Sequence, residues 1–211
     1  MFKSQALLTR VVWGLLLLFA SYALLRWRLS LAFVALATLA LSMAPVYVAR
    51  WAKIEVPRAF IAATTLFVGG TLFAGEVLDL YNRIWWWDIA MHGGSAVGFG
   101  LIGFVLVFMM FQGDRFAAPP IAVAFFAFCF ALAIGALWEV FEFSMDQIFG
   151  TNMQKSGLVD TMGDLLVDIG GALIGAATGF AWLKEHKIGG MTGLITAFVN
   201  RNPRLFGRFR K

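Results

Sequence analysis

The chain has 211 residues, of which 61% are hydrophobic and 14% are charged, with a formal net charge of +5 and a mean hydropathy of +0.81. This composition excludes an ordinary soluble domain, because no globular surface accommodates so much apolar side chain. The single cysteine, Cys129, excludes a disulfide framework within the chain.

Six apolar segments are long enough to cross a bilayer as helices, which takes about 20 residues. The first begins after Lys3 and Arg10, and because no small-residue cleavage site follows it, we expect it to be retained as a span. The polar connections are too short for a soluble domain. The sequence therefore predicts an all-α polytopic membrane protein with a single transmembrane domain over residues 1–188, its spans at about 11–25, 29–48, 59–78, 89–111, 121–143 and 162–183.

Residues 189–211 mix apolar and basic side chains after the Gly189-Gly190 pair. This mixture is typical of a helix that lies on anionic lipid, so we predict a C-terminal amphipathic, cytoplasmic surface segment. Nucleic acid attracts the same charges, but we expect no nucleic-acid partner because nothing else in the chain resembles a nucleic-acid-binding module. The predicted lipid-surface residues are Arg201, Arg204, Arg208, Arg210 and Lys211.

The distribution of Lys and Arg predicts the orientation, since positive charge near span ends is retained on the cytoplasmic side. With the amino terminus inside, 13 of the 17 Lys and Arg residues are cytoplasmic, and with six spans the carboxyl terminus is inside as well. The exceptions are Arg26, Arg28, Arg83 and Lys155. The sequence thus predicts a multi-pass membrane protein with both termini cytoplasmic.

Titratable residues recur at helical spacing at the predicted extracytoplasmic ends of the last three spans. Residues three, four, seven or eight apart share one face of a helix, so each group forms a stripe. Acids inside membrane segments are costly, and such a concentration indicates a functional site by default. The stripes are Glu139, Glu142 and Asp146; Asp160, Asp164 and Asp168; and Asp88 with His92, preceded along the chain by Glu76 and Asp79.

If the three helices face one another, the stripes form layers of an acidic funnel open to the outside. Because a helix rises 1.5 Å per residue, Glu139 should lie about 10 Å deeper than Asp146, and Asp168 about 12 Å deeper than Asp160. The expected order is Asp88, Asp146 and Asp160 at the mouth, then His92, Glu142 and Asp164, with Glu139 and Asp168 deepest.

An isolated acid at the centre of a span costs about 2.5 to 3.5 kcal/mol, so the acids must be hydrated, share protons or hold a cation. We predict a divalent-metal site formed by Glu139, Glu142, Asp164, Asp168 and His92, with Glu142 or His92 as catalytic base. Oxygen ligands suit Mg²⁺, Ca²⁺ or Mn²⁺, and the histidine adds Zn²⁺.

Several of these residues also have structural interpretations. Asp160 precedes an apolar helix, where it is placed to cap free backbone N–H groups, and Asp146 is placed to solvate a helix end. An acid bonded to a facing hydroxyl or indole, or a histidine that serves only packing, is a structural alternative for the deeper residues. The sequence leaves these alternatives open.

Residues from about 80 to 180 resemble the YjdF-like and VanZ-like families of small bacterial membrane proteins. The first element usually reads Asp-Lys-x-x-His in those families, whereas Ile89 replaces the Lys here. The resemblance implies an inner-membrane protein, linked in some relatives to resistance to a lipoglycopeptide antibiotic, and it implies no established reaction. The motifs that carry it are Asp88-Ile-Ala-Met-His92, Trp138-Glu139 with Glu142, Gly150-Thr151, Gln154, Asp160-Thr161 with Asp164, and the Gly170-Gly171-Ala172 to Gly175 segment.

Three hypotheses of function follow, and the sequence does not decide whether the protein is an enzyme. The leading one is that the outward-facing acidic site, with a divalent ion, acts on a lipid or lipid-linked headgroup by hydrolysis or group transfer. The second is a proton- or cation-coupled transporter, in which the acidic layers are successive stations. The third is a noncatalytic envelope or resistance protein that binds a headgroup or a partner. Membrane lipids are the expected partners in each case, and the sequence does not predict the oligomeric state.

Overall fold

The structure is a computed structural model that describes residues 5–111, 118–186 and 189–206. Eight α-helices and no strands are found in this part of the chain. They are α1 (Leu7–Leu25), α2 (Leu29–Trp51), α3 (Arg58–Val68), α4 (Leu80–Arg83), α5 (Trp87–Met110), α6 (Pro120–Phe149), α7 (Leu158–Leu183) and α8 (Gly189–Arg201), and α3 continues as a π-helical segment, Gly69–Val77.

Six of these helices are long and apolar enough to cross a membrane, which confirms the all-α polytopic fold class. They are α1, α2, α3 with its π-helical continuation (Arg58–Val77), α5, α6 and α7. Helices α6 and α7 extend farthest beyond their predicted spans at the end that carries the acids. Helix α6 continues to Phe149 and α7 begins at Leu158, so both helices include polar sequence on either side of the connection between them.

The ends of α6 and α7 follow from local sequence. Pro120 occupies the first turn of α6, where its missing N–H costs nothing, and Gly150 ends the helix with a φ of 66°. Gly157 precedes α7 with a φ of 65°. Because such positive φ angles favour glycine, these two residues limit the connection between the helices to a short loop, which we call the 150–157 loop.

The described chain divides into two compact units. The first consists of the residues up to Trp87 together with Ala197–Asn202, and the second of Asp88–Thr196 with the residues from Pro203 onward. One boundary falls at the start of α5, a second within α8 and a third just after α8. The sequence predicted a domain over 1–188 and a separate tail over 189–211, a division that stays a prediction.

The first unit packs around Trp13, which is fully buried. Trp13 forms one hydrophobic cluster with Val46 and Ile61. The Trp13 indole N–H donates a hydrogen bond of 3.0 Å to the hydroxyl of Ser42, so α1 and α2 are joined by a polar contact inside an apolar core. The C-terminal segment of this unit is held by Asn202, whose amide bonds both the N–H and the C=O of Glu55, at 2.7 and 2.9 Å.

The second unit contains α5, α6, α7 and all the residues of the predicted funnel. Small residues let α5 and α7 approach closely: a Cβ at Gly171 would lie 2.6 Å from the carbonyl oxygen of Gly93 and 2.7 Å from the Cβ of Ala96. Such small-residue contacts bring helix backbones together inside a membrane. The polar faces of α5 and α7 therefore lie within side-chain reach of each other.

Candidate metal centre

Four acids from three helices converge on one imidazole. His92 lies one turn after Asp88 on α5, Glu139 comes from α6, and Asp164 and Asp168 come from successive turns of α7. Each of the four acids approaches a ring nitrogen of His92 to within 3.9 Å. We call these five residues the His92 cluster.

The two ring nitrogens of His92 face different carboxylates. Nδ1 lies 3.4 Å from Oδ1 of Asp168. Nε2 lies 3.9 Å from one oxygen each of Asp88, Glu139 and Asp164. One acid therefore lies behind the ring, and three carboxylates surround its outer nitrogen.

The cluster is buried. His92 and Asp164 are each 7% exposed, Glu139 is 4% exposed and Asp168 is 1% exposed. Both carboxylate oxygens of Glu139 and of Asp168 are enclosed, and within the described residues none of the four takes part in a hydrogen bond of normal geometry. A buried acceptor without a partner costs about 1 to 3 kcal/mol, and more when it is charged, so these oxygens require a cation, a proton or water.

A glycine on α6 makes room for the deepest acid. A Cβ at Gly135 would overlap Oδ2 of Asp168 and lie 2.9 Å from its Cγ. Gly135 precedes Glu139 by one turn, so the face of α6 that carries Glu139 also makes room for Asp168. The sequence gives no signal for this role of Gly135, because the space left by a glycine is defined only when the helix opposite is known.

Asp88 connects the buried cluster to a lysine. Its Oδ1 faces Nε2 of His92 at 3.9 Å, whereas its Oδ2 accepts a hydrogen bond of 2.9 Å from the ammonium of Lys155. The side chains of Lys155 and Asp88 are 32% and 23% exposed, against 8% for His92. Asp88 therefore lies where the cluster meets the surface of the protein.

Asp146 and Asp160 position the 150–157 loop and lie outside the His92 cluster. Asp146 accepts hydrogen bonds from the Thr151 hydroxyl and from the backbone N–H groups of Met153 and Gln154, at 2.6, 2.8 and 2.9 Å. Asp160 accepts one from the backbone N–H of Lys155 at 3.1 Å. Both acids thus have a structural role in the connection between α6 and α7, whereas their predicted place at the mouth of a site stays a prediction.

The remaining acids of the stripes have partners of their own. Glu142 accepts a hydrogen bond of 2.8 Å from the indole N–H of Trp138, one turn earlier on α6. In the first unit, Asp79 pairs with Arg83 at 3.6 Å and accepts a hydrogen bond from Asn82, while Glu76 is exposed. The sequence left an acid–indole contact open as a structural alternative, and the Trp138–Glu142 pair is such a contact between residues four apart on one helix.

The predicted lipid-surface residues are only partly described. Arg201 and Arg204 are exposed, and Arg208, Arg210 and Lys211 lie outside the described residues. Apolar side chains of the same segment are enclosed by protein: Ile195 and Phe206 are each 2% exposed. Phe206 stacks on Phe108 of α5 at 5.7 Å.

The chemistry of the cluster suits a metal ion. An oxygen of Asp88, a nitrogen of His92 and an oxygen of Asp164 lie within 4.8 Å of one another, close enough to be ligands of a single ion. A carboxylate bonded to the second nitrogen of a ligand histidine fixes its tautomer, and Asp168 is placed to do this. The deeper Glu139 adds a third oxygen on the Nε2 side.

Comparison with known proteins places the chain in a family. The family model described as predicted membrane protein (DUF2238) matches residues 7–185. The chain belongs to this family. A similar protein from Thermotoga maritima, described as uncharacterized, is 29% identical over 114 residues, which are 50% of this chain and 56% of the relative. The chain thus matches little more than half the length of that relative, and no solved structure matches the chain.

Proposed function

We propose that this DUF2238 protein is a membrane enzyme whose His92 cluster binds a divalent metal ion and acts on a lipid or lipid-linked headgroup, by hydrolysis or group transfer. The observation that carries the proposal is the division of roles around one buried imidazole: three carboxylates face Nε2, and a fourth lies behind Nδ1. In this proposal Asp88, Glu139 and Asp164 are ligands with His92, and Asp168 orients the ring.

Charge supports a divalent ion. With a neutral imidazole, the four carboxylates and the Lys155 ammonium carry a formal charge of −3 in a mostly buried site. Like charges at these separations repel strongly where little water is present. A divalent cation reduces the net charge to −1 and also supplies the partner that the Glu139 oxygens lack.

The ligand set favours Zn²⁺ or Mn²⁺ over the harder ions. Imidazole nitrogen is a preferred ligand for Zn²⁺, whereas Mg²⁺ and Ca²⁺ favour oxygen and water. A tetrahedral ion with bonds of about 2.1 Å has ligand atoms about 3.4 Å apart. The oxygens of Asp88 and Asp164 lie 3.9 Å from Nε2 and within 4.8 Å of each other, so side-chain rotation suffices to draw them inward to a shared ion. Glu139 lies outside that group and has to move farther to become a ligand.

Glu142 is the proposed catalytic base. It lies one turn beyond Glu139 on α6, toward the 150–157 loop, and Trp138 orients its carboxylate. For a phosphoester, a water molecule at the site transfers a proton to Glu142 while its oxygen bonds to phosphorus. The bond from phosphorus to the leaving alcohol oxygen breaks, and that oxygen takes the proton back from Glu142.

The proposed location follows from charge and family. The bias of Lys and Arg supports an orientation in which the cluster faces the extracytoplasmic side and both termini are cytoplasmic, and we propose a bacterial inner membrane as the location. His92 follows the start of α5 by five residues, so it lies about 7.5 Å along the helix, near the depth of lipid headgroups. The resemblance to YjdF-like and VanZ-like proteins supports a role in the cell envelope.

Metal content and turnover of the purified protein test the proposal. We expect mass spectrometry to find about one divalent ion per chain, and a panel of phospholipids and lipid-linked phosphates to contain a substrate. His92→Ala and Asp164→Asn should lose both properties while they elute as folded protein. Asp79→Asn is the matched control, because Asp79 is an acid outside the cluster that has a φ of 61°, which asparagine tolerates.

The alternative functions give different results. Cation flux into liposomes that is abolished by Asp164→Asn, with no turnover, would replace the enzyme by a transporter. Metal and headgroup binding without turnover would leave a noncatalytic binding protein. Wild-type protein that retains no metal after equilibration with Zn²⁺ or Mn²⁺ would refute the metal site itself.

A further inference from the structure

We infer that Lys155 is a substrate-binding residue, and that the substrate class of the site is a phosphate-bearing headgroup, one phosphoryl oxygen of which contacts the Lys155 ammonium while another contacts the metal. This inference rests on the proposed function and specifies its substrate. It starts from an asymmetry in Asp88: Oδ1 faces Nε2 of His92, where the metal is proposed, and Oδ2 contacts the Lys155 ammonium.

Asp88 holds Lys155 beside the metal position without filling it. Oδ2 of Asp88 bonds the ammonium at 2.9 Å, and Oδ1 lies on the Nε2 side of His92 with Asp164. The two oxygens of a carboxylate are little more than 2 Å apart, so a metal at Oδ1 and the ammonium at Oδ2 lie within about 6 Å of each other. Tetrahedral phosphate presents several oxygens and spans such a gap between two cations.

Hydrogen bonds from Asp146 and Asp160, on the helices before and after the 150–157 loop, hold the backbone around Lys155 in place. Asp146 binds the 150–157 loop through three donors just before Lys155, and Asp160 accepts the backbone N–H of Lys155 itself. Gln154 also donates a hydrogen bond of 2.6 Å to the hydroxyl of Thr161, on the first turn of α7. A surface lysine that served only solubility would need none of this support.

The difference in exposure defines the direction of approach. The metal ligands Glu139 and Asp164 are buried, and Lys155 and Asp88 are partly exposed. An anionic headgroup that arrives from the surface therefore meets Lys155 before the metal. The unpartnered carboxylate oxygens of Glu139, which is 4% exposed, independently support a cation in the interior of the cluster.

Removing the charge of Lys155 should change two affinities in opposite directions. A divalent ion about 6 Å from a unit charge in water is repelled by an amount equivalent to about tenfold in affinity, so Lys155→Gln should bind Mn²⁺ about tenfold more tightly. The same variant should bind phosphate at least about tenfold more weakly, because it loses a charge-assisted hydrogen bond. A lysine that only braces the loop would weaken both affinities or neither.

The experiment measures these two affinities in the intact protein. Mn²⁺ is titrated first, by electron paramagnetic resonance, into wild type, Lys155→Gln and the charge-preserving control Lys155→Arg, all in a phosphate-free maltoside detergent. Inorganic phosphate is then titrated into the Mn²⁺-loaded proteins. In a second arm, nanodiscs of phosphatidylcholine replace the inorganic phosphate. They are prepared with and without about 20% phosphatidic acid, an anionic lipid.

Opposite shifts in Lys155→Gln, with near wild-type values in Lys155→Arg, are the expected result. Weakened binding to the phosphatidic acid nanodiscs identifies a lipid headgroup as the source of the phosphate, and weakened binding of inorganic phosphate alone identifies a soluble one. Unchanged phosphate affinity, or weaker Mn²⁺ binding, in a folded Lys155→Gln overturns the inference while the metal site stands. Wild type that binds no Mn²⁺ overturns the proposed function instead.

Discussion

Gly135→Ala tests whether Asp168 orients His92, by adding one methyl group to α6. The new Cβ would overlap Oδ2 of Asp168 and lie 2.9 Å from its Cγ and 3.3 Å from its Cβ. Since Asp168 is 1% exposed, it has little room to yield except by rotating its carboxylate. That rotation takes Oδ1 away from its place 3.4 Å from Nδ1 of His92.

The expected effect on metal binding is larger than the effect on folding. Loss of the carboxylate behind a ligand histidine typically costs 10-fold to 100-fold in metal affinity, about 1.4 to 2.7 kcal/mol. Overpacking a core lowers the free energy of unfolding by about 1 to 3 kcal/mol. Replacing a helical glycine by alanine raises it by about 1 kcal/mol, so the net loss is small. The variant should therefore fold, with its Zn²⁺ affinity reduced 10-fold to 100-fold.

Competition titration with a chromogenic Zn²⁺ chelator measures this affinity, and circular dichroism with thermal unfolding in detergent checks the fold. Gly94→Ala is the matched control, because Gly94 lies on α5 two residues after His92 and no atom lies within 4 Å of the position its Cβ would take. We expect wild-type affinity in the control. If folded Gly135→Ala also keeps wild-type affinity, Asp168 does not orient the imidazole.

Two further predictions concern the segments that surround the site. Asn202→Ala should lower the free energy of unfolding by about 1 to 3 kcal/mol, because it removes both hydrogen bonds to the backbone of Glu55. Asn200→Ala, at an exposed position, is the control, and equal thermal midpoints for the two variants would refute this prediction. Asp146→Asn puts an NH₂ group in the place of Oδ2, which accepts a hydrogen bond from the backbone N–H of Gln154. Hydrogen exchange at the Gln154 amide should therefore accelerate at least about tenfold. Exchange at the wild-type rate would show that Asp146 does not hold the 150–157 loop.

The six spans were predictable because crossing a bilayer demands long apolar runs, whatever the helices pack against. The predicted ends were less accurate, and the largest error is at the acidic end of α6. Helix α6 continues six residues beyond the predicted end at 143, and α7 begins four residues before the predicted start at 162. Hydropathy measures the fit to lipid, whereas backbone hydrogen bonding decides where a helix ends, and Gly150 and Gly157 mark those points.

Which acids meet was only partly predictable. Helical spacing placed Asp164 and Asp168 on one face of α7 and Asp88 beside His92 on α5, and the structure brings these four together with Glu139. The same spacing grouped Glu142 with Glu139, yet the indole of Trp138 engages Glu142 within its own helix. Periodicity gives the face of a helix, but it does not rank the partners available there.

The sequence by itself determined the class, the spans and the acidic faces, because each depends on local composition and on the 3.6-residue period of a helix. Only the tertiary structure decided that His92 is the centre of the cluster and that Gly135 makes room for Asp168. It also decided that Lys155, 67 residues away along the chain, reaches Asp88. These contacts depend on the distance and rotation between neighbouring helices, which are set by packing between residues far apart in the sequence.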